Sequence, residues 1–289
     1  MPPRAPLRPV LKWAGGKTSS LPEILAALPG KIDTYYEPFV GGGAVFFALA
    51  SEGRFERAVL GDGNSELVDL YRALKKDVGA VIALLRRYRY DSDQYYEVRA
   101  QRPEDLDLPE RAARTIYLNK TGFNGLYRVN AQGLFNVPFG RHANPTICDE
   151  PLLRTVASAL RSARAKLEVA DFARTVRDAK PGDAVYLDPP YAPVSATANF
   201  TAYRGGGFGE EEQERLAKLL GELSRRKVHA VLSNSDTELT RRLYTGWDIR
   251  EVEVARRINS RGTGRGAVTE LLVVNRRPRK TARARARTR

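Results

Sequence analysis

The feature that most limits how this chain can fold is a repeated alternation. A short apolar run ends in an acid or in glycines, and a stretch with helical periodicity comes next. TYYEPF (34–39) has strand character and runs into GGGAVFFALA, a glycine turn followed by a helical pattern. ERAVLGD (56–62) is a second strand-like run ending in an acid, and ELVDLYRALKKD (66–77) carries apolar residues at helix spacing. The order returns later. KLEVADF (166–172), AVYLD (184–188) and KVHAVLSNSD (227–236) read as strands. EEEQERLAKLLGELSRRK (210–227) reads as an amphipathic helix with Leu216, Leu219, Leu220 and Leu223 on one side. VEVARRI (252–258) and TELLVVN (269–275) suit a closing antiparallel pair. Strands alternating with helices predict an α/β, Rossmann-like fold, with a mostly parallel sheet covered by helices on both faces.

The alternation is interrupted between about 72 and 148. Arginine-rich helical stretches lead into TGFNGLYRVNAQGLFNVPFGR (121–141), which reads as a loop and a hairpin, YRVN and LFNV around AQG. The expected organisation is a main domain in two parts, 1–71 and 149–275. A smaller inserted helical/hairpin domain fills 72–148, and a basic disordered tail follows at 276–289. No internal repeat is present.

Charge bears on partners. The tail RRPRKTARARARTR holds eight Arg/Lys and no acid, which leaves +6 of the net +14 for the rest of the chain. That excess suits a polyanionic partner; a soluble basic protein with a solvated end is the plainer reading. No apolar run approaches the ~20 residues of a membrane span. The N-terminus MPPRAPLRPV has no apolar h-region, so it is not a signal peptide, and the expected location is cytoplasmic. The one cysteine, Cys148, excludes an internal disulfide, and with two histidines it leaves little for a zinc site. No metal is expected.

In open α/β sheets, ligands bind beyond the carboxyl ends of the strands. Glu37 and Gly41–Gly43 follow one strand, Asp62 the next, Asp171 follows KLEVA, Asp188 follows AVYL, and Asn234 and Asp236 follow HAVLS. If these strands are neighbours, the polar residues converge on one rim. The glycines permit a tight turn and close approach of a ligand. Asp62 follows Gly43 at a spacing suited to gripping ribose hydroxyls, the logic of an adenosine site. A nicotinamide fingerprint would need glycine at 46, where the chain has Phe46. Alone, the glycine run also suits a plain strand–helix turn.

The run Asp188-Pro189-Pro190-Tyr191 is more specific. Prolines have no N–H and fix φ, so two of them after a strand hold the chain extended with its carbonyls outward. A carboxylate and a fixed carbonyl can accept both hydrogens of one exocyclic NH2. That favours a tetrahedral nitrogen with a usable lone pair, and Tyr191 offers a face for the ring. The motif suits activation of an aminated nucleobase; a proline-terminated edge strand is the alternative.

Longer blocks occur in consistent order through 10–275: LKWAGGK (11–17), EPFVGGGAVFF (37–47), GDGNSELVDLY (61–71), YLN (117–119), GFNGLYRVN (122–130), GLFNVPFGR (133–141), DPPYAPVSATANFTAY (188–203), LSNSD (232–236) and RRINSRGTGR (256–265). In these the chain resembles the Dam-type (class alpha) DNA adenine N6-methyltransferases. The resemblance implies a methyltransferase sheet and methyl transfer from S-adenosylmethionine to an extruded adenine in double-stranded DNA, within GATC, by a monomer. By the same resemblance Trp13 and Lys17 help bind the cofactor and Asp62 holds its ribose. Phe39 and Phe172 sandwich its adenine. Asp188 and the Pro189 carbonyl accept from the target N6, and Tyr191 stacks on the base. Glu37, Gly41, Gly43 and Asp171 complete the cofactor rim.

The insert is implied to read DNA. Arg128 would contact a guanine edge, and Leu126 and Pro138 a thymine methyl or its neighbour. Phe123 would enter the base stack, Asn124 and Asn130 would bond bases or phosphates, Lys12 would touch the first base or the backbone, and Arg141 would bind phosphate. Lys120 and Thr121 before Gly122, and His142 after Arg141, depart from the family pattern and bear on phosphate contacts and flank preference. RGGGFG (204–209) suits a mobile loop over the target base or a slack connection. Two other readings stay open. One is methylation of another amine, in RNA or a protein glutamine, where Asn more often replaces Asp188. The other is a DNA-binding protein that has lost catalysis, which the pair Asp62 and Asp188 argues against.

Overall fold

The computed structural model describes residues 7–192, 208–255 and 267–276. Most of RGGGFG, the RRINSRGTGR block, the segment from 193 to 203 and the tail beyond Arg276 lie outside the described residues.

Among the described residues seven strands form one mixed sheet: β1 (Ile32–Glu37), β2 (Phe55–Asp62), β3 (Lys166–Val169), β4 (Ala184–Leu187), β5 (His229–Ser235), β6 (Asp248–Ala255) and β7 (Ala267–Val274). Their order is β3-β2-β1-β4-β5-β7-β6. The first five are mutually parallel, and β7 runs antiparallel to both β5 and β6. The expected closing pair is therefore present, with β6 starting at Asp248, ahead of VEVARRI.

β4 and the apolar runs of β5 and β7 are buried on both faces, β6 alternates buried with exposed residues, and the edge strand β3 is exposed or half-buried throughout. Alternate side chains divide between two cores. Tyr35, Ala58, Leu60, Tyr186 and Val231 enter one; Tyr36, Val185, Leu187, Ala230 and Leu232 enter the other. Helices α2 (Ala44–Ser51), α3 (Ser65–Leu85), α5 (Leu108–Thr121) and α6 (Glu150–Ser162) bury their stripes in the first core. Helix α8 (Glu210–Arg225) covers the second with Leu216, Leu219, Leu220 and Leu223, the side read from its periodicity. The remaining helices are short: α1 (Leu21–Ala27), α4 (Ser92–Ala100), α7 (Phe172–Thr175) and α9 (Glu238–Leu243). Among the described residues no helix is long and apolar enough to cross a membrane.

Side-chain caps set several helix starts. Asn64 accepts from the Glu66 and Leu67 amides at the head of α3, and Asp107 and Glu110 form a reciprocal capping box on α5. The helical pattern expected to end at 77 instead breaks at Asp77 (φ −149°, ψ 79°) and resumes to Leu85. Tyr95, Val98, Tyr117 and Val137, from the middle of the chain, belong to the same core as β1 and β2. Val129 and Phe135 bridge antiparallel, and the Asn130 amide donates to the Leu134 carbonyl at 2.8 Å, closing the hairpin around AQG.

Connections from β1 through β2 to β3 step one way across the sheet, and those from β4 to β5 step the other way. The order therefore reverses between β1 and β4. In open α/β sheets the loops that leave the carboxyl ends diverge at such a point, which is where ligands bind.

Candidate active site

The candidate site is built by the segments that leave the carboxyl ends of β1, β2, β3 and β4. After β1 the chain passes Phe39 into the glycine turn, where Gly41 (φ +47°) and Gly43 (φ +73°) take left-handed conformations. A Cβ on Gly43 would lie 2.9 Å from Phe47, and one on Gly41 would lie 3.0 Å from the Trp13 ring. Trp13 thus lies over the turn, and its ring also meets the Tyr127 ring at 5.4 Å. Asp62, ending β2, accepts from the Gly41 amide at 3.0 Å with one oxygen and from the Asn64 amide at 2.9 Å with the other. The Gly63 amide also favours the carboxylate, which has about four acceptor sites in all. Burial raises its pKa.

Glu37 is buried beneath the turn, where its Oε2 accepts from Tyr35 Oη at 2.9 Å and from the Phe46 amide at 3.1 Å. Burial pushes its pKa up to about 8, and the Asp188 charge adds to that despite the two hydrogen bonds. Phe39 stacks directly on Phe172, centroids 5.5 Å apart, and Phe208 packs edge-on against Phe39. The two rings stand too close for a third ring between them, so a guest would have to part them. Asp171 is exposed; it caps α7 through the Ala173 amide at 3.0 Å and faces Arg215 at 3.3 Å.

Asp188 stands at the end of β4, 2.7 Å from the buried Lys17 ammonium. The contact is an ion pair without an aligned hydrogen bond at Oδ1. Burial raises the Asp188 pKa to about 6, the Lys17 cation holding back part of the rise. Lys17 also lies 4.8 Å from the centre of the Tyr191 ring. The Tyr191 hydroxyl donates to Glu270 at 2.8 Å. The Pro190 carbonyl accepts from Gln213 Nε2 at 3.0 Å, whereas no described residue donates to the Pro189 carbonyl. Asp188 and the Pro189 carbonyl are thus left as candidate acceptors, with Pro189 itself buried and Pro190 exposed.

The residues expected to read DNA are gathered by two sets of bonds. Asn119, buried in α5, accepts from the Lys12 amide at 3.0 Å, and its Nδ2 donates to the Lys12 carbonyl at 2.9 Å and the Gly125 carbonyl at 2.8 Å. This joins Lys12 to the turn Phe123–Gly125, where Phe123 and Asn124 are exposed and Asn124 is left-handed (φ +53°). The Phe123 amide donates to the Pro138 carbonyl at 2.9 Å, placing that turn beside exposed Pro138. Leu126 packs partly into the core. Arg128 is exposed with its Nε donating to Asn136 Oδ1 at 2.7 Å, and Arg141 is exposed. Asn130 accepts from the Gln132 and Leu134 amides and so shapes the hairpin turn. His142, the departure from the family pattern, places its ring 3.0 Å from the Gly122 carbonyl and braces the Phe123 turn.

Sequence reasoning misses Gln213, Glu270, Phe208 and Asn119. A signal exists for two of them. Gln213 lies on the leucine stripe of α8 and Asn119 on the buried stripe of α5, polar residues where periodicity favours apolar ones. Asn234, expected on the rim, is instead fully buried.

An α/β sheet with an acid–proline–aromatic run after one strand, a glycine turn after its neighbour and an acid bonded to that turn is accompanied by a direct family match. Residues 13–258 match the D12 class N6 adenine-specific DNA methyltransferase family. The chain belongs to that family and is an adenine-specific DNA methyltransferase. It is similar to the type II methyltransferase M1.LlaDCHI of Lactococcus lactis subsp. cremoris, 41% identical over 275 residues covering 93% of this chain and 95% of that one. It is 39% identical over 288 residues to the type II methyltransferase M.MjaIII of Methanocaldococcus jannaschii, covering 93% and 99% respectively. With the DNA adenine methylase of Escherichia coli K12 the identity is 38% over 271 residues, covering 92% and 95%. Among the described residues no group of three or more His, Cys, Asp or Glu is placed to hold a metal ion.

Proposed function

We propose that this enzyme transfers the methyl group of S-adenosylmethionine to N6 of an adenine extruded from duplex DNA, within GATC. The observation that carries the reading is the Asp188 carboxylate beside a Pro189 carbonyl with no described donor, at the switch point and next to the glycine turn. Together they accept both N6 hydrogens and turn the nitrogen lone pair outward. Lys17 holds both Asp188 and the Tyr191 face in this structure, so it withdraws when the base enters.

The residues fit the donor. Burial has raised the pKa values of Glu37, Asp62 and Asp188, and a nearby cation would relieve that cost. Bound S-adenosylmethionine supplies an electrophilic methyl on a sulfonium. Asp62 accepts from the ribose hydroxyls, Trp13 and the glycines wall the turn, and Phe39 and Phe172 part to take the adenine ring. These residues position the reactants and exclude water, which is where most of the acceleration for such a displacement arises.

On the DNA side, Arg128 presents a fork of donors to guanine, Leu126 and Pro138 meet the thymine methyl, and Phe123 fills the gap left by the extruded base. Lys12, Asn124, Asn130 and Arg141 hold bases and phosphates around it. Such an enzyme works where DNA and the donor meet, in the cytoplasm. The test is transfer of labelled methyl to duplexes that differ only by an intact or scrambled GATC, followed by nucleoside digestion. The expected product is N6-methyladenine from the intact site alone. Equal labelling of the scrambled duplex would reject the assigned sequence, and label on cytosine would reject the target atom.

A further inference from the structure

We propose that Gln213 and Asn234 are positioning residues that decide which proline carbonyl after Asp188 faces the substrate amine. The inference rests on the reading of Asp188 and Pro189 given above. Gln213 and Asn234 are 1% and 0% exposed. They join α8, β5 and the segment after β4.

The orientation of the whole chain of bonds is forced from one end. Asn234 Oδ1 faces two backbone amides, Ala192 at 3.2 Å and Ser235 at 2.9 Å, so it must be the oxygen. Its Nδ2 therefore points at Gln213, which must present Oε1, at 2.9 Å. That leaves Gln213 Nε2 to donate to the Pro190 carbonyl at 3.0 Å. Ser235 Oγ donates to the Ala192 carbonyl at 2.6 Å and closes the other side.

The consequence is local. Proline has one soft backbone torsion, ψ. Fixing the Pro190 carbonyl inward, and both polar groups of Ala192 on β5, leaves Pro189 little freedom. Of the two proline carbonyls, that of Pro189 is then the one left for the amine, since no described residue donates to it. A buried amide pair with no charge achieves this without disturbing Asp188 electrostatically. Loss of either amide strands buried partners and lets the segment turn.

The experiment measures single-turnover methyl transfer at saturating donor and DNA for Gln213→Leu and Asn234→Asp. DNA affinity, donor affinity and melting temperature are measured in parallel, with Asp188→Ala as reference. Asn234→Asp keeps the acceptor for the two amides but makes Gln213 reverse its own amide, turning Oε1 against the Pro190 carbonyl. The expected result is a rate lower by about tenfold to a hundredfold, with both affinities within about threefold. The double variant should be no slower than the slower single one, because both act on one chain of bonds. A rate within twofold of the parent in either variant overturns the inference, as does a loss of both affinities equal to the loss of rate. If Gln213→Leu does not fold, the near-isosteric Asn234→Asp decides the matter by the same criteria. An inactive Asp188→Ala beside a fully active Asn234→Asp sinks this inference alone; an active Asp188→Ala sinks the reading beneath it.

Discussion

On the proposed reading Asp188 meets the amine as a carboxylate, yet its surroundings raise its pKa to about 6. Transfer should therefore fall on the acid side with an apparent pKa near that value. Lys17→Met removes the cation that holds the carboxylate down in the free enzyme, so the acid limb should move to higher pH, read from kcat/KM between pH 5 and 8. An unmoved limb would dissociate Lys17 from Asp188 ionisation. Glu37 makes a separate prediction about stability. Its pKa rises from 4.5 unfolded to about 8 folded. The folded state holds that proton more tightly, so its contribution is complete below about pH 4.5 and is lost as pH rises toward 8. Glu37→Gln keeps an oxygen for Tyr35 and Phe46 without the proton. The stability of the variant should gain on the parent between pH 5 and 8, by at most about 1.4 kcal/mol per pH unit, read from thermal melts. A constant difference across that range would contradict the assignment.

At the level of elements, the turn after β1 and the body of α8 respond oppositely to one chemical change. Gly43 has φ +73° and no room for a Cβ beside Phe47, so Gly43→Ala should cost roughly 1–3 kcal/mol and weaken donor binding. Gly221 sits within α8 with nothing within 4 Å of a new Cβ, so Gly221→Ala should stabilise by roughly 0.5–1 kcal/mol. Urea unfolding of both variants checks the pair; a shift of the same sign in each would refute the backbone argument. These elements are legible in the sequence because strand ends carry their own punctuation: Glu37 before the glycines, Asp62 before Asn64, Asp188 before two prolines. Partnerships across the fold are not legible. Gln213 meets Pro190 across 23 positions and Tyr191 meets Glu270 across 79, and nothing local in either partner specifies the other. Asn234 shows the limit from the other side. A polar residue at a strand end suggests the rim, but the bend of the chain after Asp188 encloses this one.

For the whole molecule, strands and helices can be read in order from the sequence, but the neighbours of each strand cannot. The reversal between β1 and β4 comes from the packing of crossover helices on two faces, and it sets the segments that carry Gly41, Asp62 and Asp188 along one edge of the sheet. Charge acts at the same scale. The residues beyond Arg276 carry seven of the excess Arg/Lys. Deleting 277–289 should shallow the dependence of DNA affinity on salt, by up to about 0.9 log units for each phosphate the tail neutralises. The proposed preference for GATC over a scrambled site should stay unchanged, because phosphate contacts carry no sequence information. An altered preference would assign the tail a reading role. The central claim, an adenine amine gripped by Asp188 and the Pro189 carbonyl, is tested most directly by the single-turnover rate of Asp188→Ala with donor and DNA both saturating. The expected result is loss of transfer by at least about a thousandfold with DNA affinity nearly retained. Transfer at the parental rate by a folded Asp188→Ala would contradict it.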